Sequence, residues 1–157
     1  MDKNKAVIDF LNECPEIQSH PLYFNFSQAK DNNKQIVTTG NDKAINKPYI
    51  DGSVLKQFTF TIIDYKSIAY RAVVKQPGYT DENVEDMAEV QNIIDWVEEK
   101  AYNRVYPNFG SDCFIENMEV LTDNPNLNGT DTTVTPALAK YSLSIQITYV
   151  DYSKALY

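Results

Sequence analysis

Residues 141–150, YSLSIQITYV, decide the fold. Tyr141, Leu143, Ile145, Ile147 and Tyr149 alternate with Ser142, Ser144, Gln146 and Thr148. Successive side chains of a strand point to opposite faces, so a period of two that separates apolar from polar residues marks a strand with one covered face. Such a face belongs to an antiparallel sheet covered on one side. Upstream, Leu55 to Tyr65 repeats the pattern. Phe58, Phe60 and Ile62 face one way, and Thr59, Thr61, Ile63 and Tyr65 the other.

Shorter stretches extend the sheet. Leu22, Phe24 and Phe26 alternate with Tyr23 and Asn25, and Gln35 to Thr39 is rich in β-branched residues. Asp31-Asn32-Asn33 reads as a turn between them. Ile68 to Val74 reads as another strand, closed by Gln76-Pro77-Gly78. Cys113 to Leu121 alternates only partly, because Glu116 and Glu119 interrupt it. Gly40 to Ser53 and Thr122 to Ala139 read as long polar loops. A loop of the length of Thr122 to Ala139 without structure of its own is usually functional or disordered.

Two segments change to helical spacing. From Lys3 to Cys14, Val7, Leu11 and Cys14 share a stripe with Ile8 beside it, and Pro15 is expected to end the helix. From about Asp81 to Asn103, Val84, Met87, Val90, Ile94, Val97 and Ala101 recur in steps of three and four. Thr80 is the expected N-cap. Asp81 and Glu82 at the start, with Lys100 and Arg104 at the end, suit the helix dipole. Pro107 and Gly110 are expected to stop it. The fold expected is α+β: one domain over residues 1–157, a mostly antiparallel β-sheet with an N-terminal helix and one long central helix packed on it. The Val84, Met87, Ile94 and Val97 stripe should meet the Phe58, Phe60 and Ile62 face.

Composition narrows function. A formal net charge of -8 and a pI of about 4.6 disfavour nucleic acid and anionic membrane as partners. No apolar run reaches bilayer length. Asp9, Asn12 and Glu13 interrupt the N-terminal apolar residues, so that segment reads as a helix and not a signal peptide, and a cytoplasmic protein is expected. The two cysteines, Cys14 and Cys113, then read as reduced apolar residues. In that compartment the glycosylation-type triplets Asn25-Phe26-Ser27 and Asn128-Gly129-Thr130 carry no meaning.

Each candidate for chemistry has a plainer reading. His20, the single histidine, has no second histidine or neighbouring cysteine and reads as structural or exposed. Asn124 to Gly129 match the opening of a calcium loop poorly, with Pro125 second and Thr135 where a bidentate Glu belongs. Asp81, Glu82, Glu85, Asp86 and Glu89 read as a solvated helix face, with a basic partner as the functional alternative. Phosphate-loop, dinucleotide, nucleophile-elbow and zinc-protease motifs are all missing, and the chain has only 5 glycines. No catalytic, cofactor or metal residue is assigned. The 11 tyrosines are the unusual feature. Tyrosine suits interfaces between soluble subunits, and Tyr149, Tyr152 and Tyr157 either lie on such a surface or cap the edge of the core.

The stretches HPLYFNF (20–26), DGSVLKQFTFTIIDYKS (51–67), DENVEDMAEVQNIIDWVEEKAYNRVYPNFG (81–110) and LTDNPNLNGTDTTVTPALAKYSLSIQITYVDY (121–152), in this order, resemble a family encoded in the tail-assembly region of phages and prophages of Gram-positive bacteria. Its members are tail terminators, also called tail-completion or minor structural proteins. The resemblance covers nearly the whole chain and implies a subunit of a homomeric ring, usually a hexamer, at the head-proximal end of the tail tube. The implied partners are further copies of the chain, the tail tube protein and a neck or head-completion protein. The implied places are the virion and, during assembly, the host cytoplasm. The nearest alternative is a head–tail connector or stopper of the neck. Gly40 to Ser53 and Thr122 to Ala139 match the loops that touch the tube. A chloramphenicol-resistance label carried by some relatives would require an H-x-x-x-D-G motif, but His20 is followed by PLYFNF.

Overall fold

The computed structural model describes residues 2–18, 22–24, 34–38, 43–67, 82–121, 126–131 and 138–155. The element order is α1 (Lys3–Leu11), α2 (Pro15–Gln18), β1 (Leu22–Phe24), β2 (Lys34–Thr38), β3 (Lys43–Pro48), β4 (Val54–Ser67), α3 (Glu82–Tyr102), β5 (Cys113–Val120), β6 (Asn126–Asp131) and β7 (Leu138–Asp151). The chain is α+β and mostly sheet.

The two strongest alternating stretches form the centre of the sheet. β4 and β7 pair antiparallel over fourteen positions each, with Phe58 opposite Ile147, Phe60 opposite Ile145 and Ile62 opposite Leu143. The strand order is β1-β2-β4-β7-β5, with β3 also on β4 and β6 also on β7. Among the described strands every pairing is antiparallel except that of β1 with β2. The register places the alternating apolar residues of the two strands on one face, while Leu55, Ile63 and Val150 fall on the other. Phe58, Phe60, Ile62, Tyr141, Leu143, Ile145, Ile147 and Tyr149 are buried, while Thr59, Thr61, Ser142, Ser144, Gln146 and Thr148 are half-buried on the opposite face. On that face the Thr61 and Ser144 hydroxyls are 2.9 Å apart.

The helices cover the apolar face. Val90, Ile93, Ile94 and Val97 of α3 share one core cluster with the sheet and with Ala6, Val7, Phe10 and Leu11 of α1. The ring centroids of Phe10 and Trp96 lie 5.0 Å apart, which joins the two helices. The Asn92 side chain donates to Glu16 at 3.0 Å and ties α2 to α3. Ile93 is buried beside the predicted stripe, because positions 90, 93, 94 and 97 together span an apolar face wider than one row. The side chains of Val84 and Met87, the N-cap position Thr80, and the strand expected over residues 68–74 lie outside the described residues, as does Gln76-Pro77-Gly78.

Four expectations are corrected. The first helix stops at Leu11, with Asn12 as its C-cap, and Pro15 does not end it. Pro15 instead starts α2, where a missing N–H costs nothing. The end of α3 is closed by its own backbone and not by Pro107 or Gly110. Arg104 adopts a φ of 56°, its N–H reaches the Ala101 carbonyl at 3.1 Å, and the Val105 N–H reaches that of Lys100 at 2.8 Å. These two bonds satisfy carbonyls that the last helical turn leaves free. The supposed loop Gly40 to Ser53 contains β3, and Thr122 to Ala139 contains β6. Both strands lie at the sheet margin and hold their places through main-chain pairing, which needs no apolar alternation. The partial alternation of β5 has a local cause: the register shifts between Ile115 and Asn117, so Glu116 is the extra residue of a bulge.

Candidate interaction surfaces

Three features define the exposed chemistry at one end of the sheet, where β4 begins, β7 ends and β5 begins. Val54 pairs with Asp151, and Asp151 pairs with Cys113 across the other side of β7.

The first feature is the turn between β3 and β4. The Tyr49 N–H donates to the Ser53 carbonyl at 2.9 Å, and the Gly52 N–H to the Tyr49 carbonyl at 3.0 Å. Asp51 Oδ1 accepts from the Ser53 N–H at 2.9 Å and from its hydroxyl at 2.6 Å. Gly52 has a φ of 91°, and a Cβ there would stand 2.7 Å from the Lys154 carbonyl oxygen. The turn is therefore fixed against the C-terminal segment, and only glycine fits at position 52. At its tip Ile50 is 104% exposed and Tyr49 43%.

The second feature is a cleft of about 650 Å³ between β5 and the connection that follows α3. Tyr106, Pro107, Phe109, Cys113, Phe114 and Ile115 supply its apolar lining. Arg104 and Glu116 bring a charge of each sign. Phe109 is buried, whereas Phe114 is 61% exposed. On the open face Phe114 sits opposite Val150, and Val150 opposite Leu55, which makes a short apolar row across three strands.

The third feature is an ion pair. Lys56 Nζ lies 2.9 Å from Asp151 Oδ2. Burial acts to raise the Asp151 carboxyl, but hydrogen bonds from Ser153 and Lys56 outweigh it and hold the group well below the usual carboxylate range.

The residues singled out in the sequence are scattered relative to these features. Cys14 is buried in the core, and Cys113 is half-buried in the cleft, where burial pushes its thiol up. Both are free thiols. Tyr149 is fully buried, so it belongs to the core and not to an assembly surface. Its ring packs edge-on against Phe109 at 5.3 Å, with Lys3 Nζ 5.5 Å from its centroid. Tyr152 is 42% exposed, and Tyr157 lies outside the described residues. His20 and the acidic side chains at positions 81, 82, 85 and 86 also lie outside them. Glu89 is half-buried on α3. Residues 126–129 of the poor calcium-loop match belong to β6, which bulges between Leu127 and Gly129. Among the described residues no group of three or more His, Cys, Asp or Glu could hold a metal ion, and no helix is long and apolar enough to cross a membrane.

Sequence reasoning passed over both the Ile50 tip and the Phe114 cleft. An isoleucine inside a polar stretch was the only signal for the tip. The cleft had none, because it depends on how the connection after α3 folds back along β5. No protein-family model and no curated protein matches the chain.

Proposed function

We propose that this protein is a structural subunit of a bacteriophage tail. In this reading, copies of the chain form a homomeric ring that ends the tail tube at its head-proximal end and joins it to the neck. The observation that carries it is the resemblance over nearly the whole chain, from HPLYFNF at 20–26 to YSLSIQITYVDY at 141–152. The surface chemistry supports it. A ring places different surfaces of neighbouring copies in contact. Here apolar groups are exposed at two separate places, Ile50 in the turn between β3 and β4 and Phe114 on β5. An enzyme would need converging polar groups in a pocket. The cleft is lined by polar and apolar surface in about equal measure, and among the described residues its charged members are Arg104 and Glu116 alone.

Two experiments test the proposal. Native mass measurement should give a closed oligomer, with six copies expected from the resemblance. Electron microscopy of tails assembled without the protein should show tubes of uncontrolled length that regain a defined end when it is added. A protein that stays monomeric at every concentration, alone and with tails, would refute the ring. A ring that binds portal-side components but leaves tube length unchanged would identify a head–tail connector or stopper instead.

A further inference from the structure

We draw no further inference here: the strongest candidate, the uncharged face of β4 and β7 turned away from the helices, where Thr59, Thr61, Ser144 and Gln146 stand, is a sheet face for which nothing in the structure shows what covers it.

Discussion

The ring of Phe109 meets the ring of Tyr149 edge-on, with centroids 5.3 Å apart and planes at 85°. Phe109 also lies 5.7 Å from Phe58, so one side chain from the connection after α3 bridges β4 and β7. Edge-to-face pairs favour this spacing because the positive ring edge meets the negative face. The contact fixes the connection on the sheet and gives the cleft its base. Phe109→Ala should cost about 3–5 kcal/mol of stability in urea unfolding, the usual result of emptying a buried aromatic site. A loss below about 1 kcal/mol would mean that Phe109 is not packed as described.

Asp151 carries the clearest pH dependence. Its carboxyl is held well below the usual carboxylate range despite burial, by bonds from Ser153 and Lys56. A depressed carboxylate stabilises the fold fully above its unfolded pKa, and the stabilisation is lost as pH falls toward the folded value. Wild-type stability should therefore drop as pH falls below about 4, and the Asp151→Asn variant should show a shallower drop over that range. At neutral pH the variant should be less stable by about 1.5–3 kcal/mol, the usual worth of hydrogen bonds to a charged group. Parallel melting curves of the two proteins from pH 2 to pH 7, taken as about the range over which carboxylates titrate, would check this. Identical slopes would show that the bonds to Asp151 do not persist in solution.

Arg104 closes α3 in a left-handed conformation that a side chain resists. Arg104→Gly should remove that resistance and raise stability by about 0.5–1 kcal/mol, net of the greater freedom glycine gives the unfolded chain. Thermal unfolding would read the change. Destabilisation by the same amount would show that the Arg104 side chain makes contacts worth more than its backbone strain.

Legibility followed burial. Positions 141–149 could be read because one face is apolar and the other polar, and Phe58, Phe60 and Ile62 could be read for the same reason. Asp64 shows the limit. It shares that face and is buried, yet as an acid it lies outside the apolar pattern. β3 and β6 were invisible because strands at the margin need little apolar surface. The predicted contact between α3 and the sheet is carried by Val90, Ile93, Ile94 and Val97. Ile94→Ala should accordingly cost about 2–5 kcal/mol. A loss under about 0.5 kcal/mol, the usual surface value, would place it outside the core.

Salt separates the forces in the proposed ring. Each copy carries a net charge of -8, so copies repel at long range. The Debye length falls from about 30 Å at about 0.01 M salt to about 8 Å at about 0.15 M, which removes most of that repulsion. Any ion pairs between copies would also be screened, but exposed ion pairs contribute only about 0–1 kcal/mol each. Burial of exposed apolar side chains between copies is not weakened by moderate salt. Repulsion is therefore the larger salt-sensitive quantity, and association should strengthen, or hold constant, over this range. Sedimentation of the wild type across the salt series reads the result directly. A wild-type assembly that falls apart steeply as salt rises would show an interface built on ion pairs and not on apolar contacts.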